Sequence, residues 1–326
     1  MSDLTKQVDN NGISMGETSP TKPESRFQWG KLAIVLIVTG GIMLGVGVAA
    51  GGRGGFLTLE NMGIRFYTAD ILHTTSENFT DVSSILVNSS AISVQVSQDP
   101  NIEFVSVTLE NIEEGSTRIQ GSALIIDTRD FERNLGTFFG FATSLQQVIR
   151  IRIPTNTPAP VMEISTSSGN ISIEGIITDS ITINTSSGNV RLSRTVSEHV
   201  NVSTSSGTIR GTFVEMGNGS LNSNSGRISL DYPEWNSINI RTASGRLSIS
   251  DALINDGTGE STFRTSSGSI NISIDGSMSD FFYHGRSSSG SIHIDGQRGS
   301  RTISGGNGPH MITLESSSGS IRLEFN

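Results

Sequence analysis

Residues 181–211 read ITINTSSGNVRLSRTVSEHVNVSTSSGTIRG. The segment says one thing twice: an alternation of apolar and polar residues runs into Thr-Ser-Ser-Gly, and a second alternation leaves it, with an offset of 19 residues. Along the chain the Ser-Gly step recurs with its glycine at Gly169, Gly188, Gly207, Gly226, Gly245, Gly268, Gly290 and Gly319, at intervals of 19, 19, 19, 19, 23, 22 and 29. Self-similarity at such a period marks a solenoid, in which each repeat is one coil and neighbouring coils share a core.

Alignment on the glycine turns the pattern into geometry. Five residues before it stand Ile164, Ile183, Val202, Leu221, Ile240, Phe263, Gly285 and Leu314. Two after it stand Ile171, Val190, Ile209, Ile228, Leu247, Ile270, Ile292 and Ile321; four after it, Ile173, Leu192, Gly211, Leu230, Ile249, Ile272, Ile294 and Leu323. The positions between are polar. Period two on both sides predicts two short strands per coil, each with one buried face, and a corner at the glycine, whose backbone tolerates left-handed or bulged conformations. Continued inward parity places Thr166, Thr185, Thr204, Ser223, Thr242, Thr265, Ser287 and Ser316 inside. It also predicts an internal hydroxyl column of Ser168, Ser187, Ser206, Ser225, Ser244, Ser267, Ser289 and Ser318, stacked at about 4.8 Å. The fold class expected is therefore all-β, a single-strand β-solenoid of about 19-residue coils with parallel sheets, regular over residues 161–326. A lone coil is unstable: four inward aliphatic side chains contribute about 6–12 kcal/mol, against roughly 1–2 kcal/mol of backbone entropy for each residue ordered.

Residues 60–160 alternate without the Ser-Gly corner, at 84–87, 91–96, 103–109, 123–127 and 148–153, and are expected to form irregular coils that cap the first edge. An insertion from Phe131 to Gln147 carries Phe138, Phe139 and Phe141 and is expected to fold over the open end, the alternative being an exposed apolar contact loop. At the other edge, Arg322 and Glu324 on the last strand are expected to guard against strand addition.

Composition narrows the class. The 326 residues are 34% hydrophobic and 6% aromatic, with 37 glycines and no cysteine, which excludes disulfides, thiolate metal sites and cysteine nucleophiles. A net charge of −9 argues against nucleic acid as a partner. Residues 1–30 are polar and aperiodic, a disordered tail. Leu32 to Ala50 is uncharged over 19 residues, about 28 Å as a helix, and a transmembrane helix is expected over 31–50. Lys22, Arg26 and Lys31 precede it and Arg53 alone follows closely, so the N-terminus is placed in the cytoplasm and the bulk of the chain beyond the cell membrane. The polar tail is long for the rival reading, a cleaved signal peptide. Gly41 and Gly45 have the GxxxG spacing of helix dimers, a route to a homodimer. Residues 51–59, opening with GGRGG, read as a tether.

The run RIRIPTNTPAPVMEISTSSGNISIEG (150–175), followed by TSSGNVRL, TSSGTIRG, TSSGSINI and SSSGSIRL, resembles the bacterial putative-adhesin family of serine-glycine repeat β-solenoids, a family of unknown function. The resemblance spans about residues 70–326. It implies a membrane-anchored envelope protein, used for adhesion or acting as an accessory or sensor in envelope stress.

Motifs of catalysis and metal binding are missing. His73, His199, His284, His293 and His310 are scattered, and no HExxH, DxDxDG or GxGxxG occurs. Glu174, Asp231, Asp275, Asp295 and Glu324 follow strands singly, as turn residues do. No enzyme activity and no cofactor or metal is expected. The outward arginines are more informative. Arg241, Arg264 and Arg286 occupy one position in successive copies, while Arg191, Arg210, Arg227 and Arg246 lie on the strand after the glycine. Rows of guanidinium on an acidic body suit a surface glycan or an anionic envelope polymer. A role through a membrane-protein partner is the alternative.

Overall fold

The computed structural model describes residues 55–60, 63–68, 74–112, 116–129, 147–155, 159–255 and 258–326. The tail, the apolar segment 31–50 and the loop with Phe138, Phe139 and Phe141 lie outside these residues. No helix among the described residues is long and apolar enough to cross a membrane. Gly55–Glu60 pairs antiparallel with Gly63–Thr68 in a two-stranded sheet of its own, so the stretch expected as a tether contributes a strand from Gly55 onward.

Everything else stacks as coils. A leading strand enters each Ser-Gly corner and a trailing strand leaves it. Leading residues Ile183, Val202, Leu221 and Ile240 are parallel register partners in turn, as are trailing residues Val190, Ile209, Ile228 and Leu247. Every aliphatic in the three predicted columns is buried. Val190–Thr204 and Ile209–Ser223 run without a break from the trailing strand of one coil into the leading strand of the next. From Trp235 onward, aromatic residues enter the interior. Trp235 packs edge-on against Phe263 at 6.2 Å, and its Nε1–H donates to Ser261 Oγ at 2.8 Å. Ser261 Oγ in turn lies 2.9 Å from Nε2 of the buried His310.

Three expectations change. First, the stack does not follow chain order at its ends. His310–Ser316 inserts between Glu260–Thr265 and Phe281–Ser287, and Ile321–Phe325 between Ile270–Ile274 and Ile292–Ile294. At the opposite end Ser84–Ser89 and Ser93–Asp99 lie inside the later strands Ala123–Asp127 and Val148–Pro154. Arg322 and Glu324 therefore sit on an interior strand. The edges are closed by antiparallel strands instead: Gln297–Gly299 and Thr302–Gly306 at one end; at the other, Thr117–Gln120 on one flank and Val105–Glu110 followed by the outermost Thr74–Phe79 on the other. An antiparallel cap ends the parallel ladder, which suppresses edge-to-edge addition.

Second, the serine immediately before each corner glycine, from Ser168 to Ser318, is exposed rather than inward. The internal hydroxyls are those two residues earlier. Thr166, Thr185, Thr204, Ser223, Thr242, Thr265, Ser287 and Ser316 are buried, and each accepts the N–H of its corner glycine at 2.8–3.0 Å. This side-chain turn reverses the chain within three residues, so parity does not carry through the corner.

Third, the corner glycines are not required by backbone angle. A Cβ on Gly188, Gly207, Gly226 or Gly245 would lie 1.8–2.1 Å from the carbonyl oxygen of the preceding corner glycine. Close backbone approach, not left-handed φ, excludes a side chain there. Left-handed residues instead line the second corner, six residues after the glycine: Gly175, Arg194, Phe213, Tyr232 and Asp251, all with φ between 49° and 66°. Such backbone costs an L-residue about 1–2 kcal/mol. Phe213 and Tyr232 recover part of that by stacking, with centroids 5.1 Å apart and planes at 12°, an arrangement worth roughly 0.5–1.5 kcal/mol.

Candidate functional site

The coils bring the predicted arginines around the Ser-Gly corner, on its ridge and on the two flanks beside it. Arg191 and Arg210 are direct register partners on the trailing flank. Arg227 and Arg246, one residue after their glycines, occupy the ridge in the next two coils, their carbonyls accepting from Ile209 and Ile228. Across the ridge, on the leading flank, Arg241 pairs in register with Arg264. Each coil from Gly188 to Gly268 thus presents a guanidinium at about the strand spacing of 4.8 Å. The row drifts diagonally over the exposed Ser-Gly ridge.

One expected neighbour is displaced. Chain order places Arg286 beside Arg264, but the inserted strand puts Glu315 between them as register partner of both. Arg264 Nε lies 2.7 Å from Glu315 Oε2, an ion pair without hydrogen-bond alignment, since the Nε–H has no acceptor in line. A depression of about 610 Å³ follows this part of the row, bounded by Asn222, Arg241, Arg264, Arg286, Glu315 and Ser317. A second of about 480 Å³ lies on the other flank against Asn170, Ser172, Asn189, Arg191, Thr208 and Arg210. There Asn189 Nδ2 donates to Asn170 Oδ1 at 3.1 Å, the start of an amide ladder that leads into the arginines.

Pairing separates these arginines from others. Arg129, Arg150, Arg152, Arg194 and Arg322 each contact a carboxylate: Asp127, Glu110, Asp99, Glu174 and Glu324. Hydrogen bonds from Arg129 hold the Asp127 carboxyl below the usual range, and the backbone N–H of Asn101 does so for Asp99. By contrast Arg191, Arg210, Arg227, Arg241, Arg246 and Arg286 form no ion pair among the described residues. Between residues 161 and 255 every carboxylate but Glu163 lies elsewhere. Glu174, Asp179, Glu198, Glu215, Asp231, Glu234 and Asp251 fall five to ten residues after their glycines, at or beside the second corner. The solenoid is polarised across its width, with a basic Ser-Gly edge and an acidic opposite edge.

Other polar groups do not assemble into a chemical site of this kind. His284 Nδ1 lies 2.7 Å from Ser304 Oγ on the surface. Among the described residues no group of three or more His, Cys, Asp or Glu is placed to hold a metal ion. The stacked Phe213–Tyr232 pair, 56% and 51% exposed, escapes the sequence reading. Its signal is the column six residues after each glycine, which is neither apolar nor turn-like as a set.

A stacked two-flank β-solenoid with repeated close-packed glycine corners defines the class. The chain belongs to the Toastrack DUF4097 family, whose model matches residues 82–324. No curated protein matches it. Among solved structures it is similar in fold to a protein described as a "putative adhesin" from Parabacteroides merdae (12% identity, TM-score 0.42, covering 77% of this chain and 95% of that one). A "putative adhesin" from Bacteroides fragilis is similar at 13% identity and TM-score 0.42, covering 78% and 97%. A "putative lipid binding protein" from Parabacteroides distasonis is similar at 18% identity and TM-score 0.47, covering 76% and 96%.

Proposed function

We propose that this protein is a non-catalytic, adhesin-like binding module of the cell envelope. Leu32–Ala50 holds it in the cell membrane with the N-terminus in the cytoplasm, and the Ser-Gly edge of the solenoid binds an extended anionic polymer. The observation that carries the reading is the set of guanidiniums without an ion pair among the described residues, Arg191, Arg210, Arg227, Arg241 and Arg246, spread over four successive coils of a chain of net charge −9. Stacking like charges at about 4.8 Å is unfavourable in isolation, and an anionic chain lying along the coil axis relieves the whole row at once. Bidentate pairing to phosphate or carboxylate is what arginine geometry suits. The neutral amides and hydroxyls that continue the row, Asn170, Ser172, Asn189 and Thr208, supply hydrogen bonds beyond the charged segment.

Titration of the full chain in detergent micelles with poly(glycerol phosphate), against uncharged poly(vinyl alcohol), tests this. Saturable binding to the polyanion that weakens with added salt is expected. Equal retention of both polymers, or of neither, contradicts the reading.

A further inference from the structure

The edge opposite the arginines carries its own unsatisfied chemistry. Phe213 and Tyr232 stand at its tip, half exposed and in left-handed backbone, where the equivalent residue one coil beyond Arg194 is glycine. On one side they are framed by Thr212 and Asp231, register partners in adjacent coils; on the other by Glu215 and Glu234, likewise partners. The side-chain carboxylates of Asp231 and Glu215 make no hydrogen bond or ion pair among the described residues. The nearest cation along this column, Arg194, is already joined to Glu174. Elsewhere in the column of Glu215 and Glu234 stand the apolar Ile177 and Leu253. Where the rings project, the column turns to carboxylates. Aromatic faces among uncompensated carboxylates are a setting for guanidinium or ammonium groups, which stack on the rings and pair with the acids.

A ligand of that chemistry is carried by the chain itself. The Ser-Gly edge presents guanidiniums at one per coil, and the opposite edge presents carboxylates at the same axial period, because both repeats are set by the strand spacing. Two molecules side by side therefore match in charge and in pitch along several coils. We propose that the acidic aromatic edge centred on Phe213, Tyr232, Asp231, Glu215 and Glu234 docks the arginine edge of a second copy. The contact is heterologous, edge to opposite edge, so it propagates into lateral rows of solenoids instead of closing as a two-fold dimer. The inference rests on the arginine edge being an anion-binding surface. The neighbour's acidic edge and a soluble polyanion compete for it.

Complementary variants of the full chain in detergent micelles test this by sedimentation velocity. The unmodified chain is expected to associate at low ionic strength and to dissociate at about 0.5 M salt, where charge pairing is screened within a few ångströms. Variant R210E/R246E, which spoils the basic edge, and variant F213G/E215Q/D231N/Y232G/E234Q, which spoils the acidic edge, are each expected to lose that salt-sensitive association. Glycine relieves the left-handed backbone, so the second variant keeps its fold. Mixed, the two retain one intact edge each and are expected to form a heterodimer that grows no further. Association of either variant alone at the unmodified level, or a mixture that stays dissociated, overturns the proposal. Poly(glycerol phosphate) binding by the second variant and by the unmodified chain is measured in parallel. Binding by both without any self-association defeats the docking and leaves the polymer reading standing, whereas no binding by the unmodified chain defeats the polymer reading.

Discussion

A Cβ placed on Gly207 would sit 1.8 Å from the carbonyl oxygen of Gly188. The same relation links each corner glycine to the residue before it in the stack, back to Ile92, whose carbonyl lies 2.0 Å from a Cβ on Gly169. Backbone cannot retreat from backbone here without breaking the ladder on both flanks. Gly207→Ala is therefore expected to cost about 3 kcal/mol or more, the upper end of overpacking losses. Gly175, with φ +66° and nothing within 4 Å of its Cβ, should lose only about 1 kcal/mol as alanine, the left-handed penalty. Chemical denaturation of both variants decides; comparable losses would contradict exclusion of a side chain at Gly207 by close backbone approach.

The internal hydroxyl column predicts a contrast within one corner. Thr204 Oγ1 accepts the Gly207 N–H at 3.0 Å and is buried. Thr204→Val leaves that amide without its acceptor and should cost about 1–3 kcal/mol, while Thr204→Ser should retain most of the stability. Ser206→Val, on the exposed surface, should stay within about 0.5 kcal/mol. Melting temperatures of the three variants, taken side by side, provide the check.

Ser261 joins two buried partners, the Trp235 indole N–H and His310 Nε2. Ser261→Ala removes the acceptor of the Trp235 N–H and one contact of His310, at about 1–3 kcal/mol for the stranded indole N–H, and the damage should concentrate in the coils that depart from chain order. Hydrogen exchange should show faster exchange at residues 310–325 while residues 181–223 keep their protection. Uniform acceleration along the solenoid would contradict this placement of the network.

Glu315 is the one carboxylate in the leading-flank arginine row. Its pairing with Arg264 is half exposed on both sides, so Glu315→Gln should change stability by less than about 1 kcal/mol. It should nevertheless tighten poly(glycerol phosphate) binding, because Arg264 is released from its ion pair and the negative charge beside Arg286 is removed. Calorimetric titration at low salt measures the change; a weakened affinity would mean that Glu315 positions its neighbours for the ligand.

The regular coils are legible in the sequence because both signals are local. Period-two alternation at Ile171–Ile173 or Val190–Leu192 states which face is buried, and the equal spacing of five glycines states what stacks on what. The direction of Ser168 and its equivalents is not legible, since Thr166 turns the chain by capturing the Gly169 amide and so ends the alternation. Nor is the insertion of residues 310–325. Inward positions of the leading strands are interchangeable between coils: Leu314 fits beside Phe263 as well as Gly285 does, so nearest-neighbour identity is set by where the antiparallel caps at Gln297–Gly299 and Thr302–Gly306 close the end. That choice displaces Arg286 from Arg264 while leaving the other arginine neighbours as read.

The central claim is that the unpaired arginines act together as one anion-binding edge. Its most direct test is poly(glycerol phosphate) affinity of the full chain against the variant R191Q/R210Q/R241Q/R246Q, at low and high salt. At least about a tenfold loss at low salt, a flatter salt dependence and an unchanged fold are expected. An affinity equal to that of the unmodified chain would contradict it.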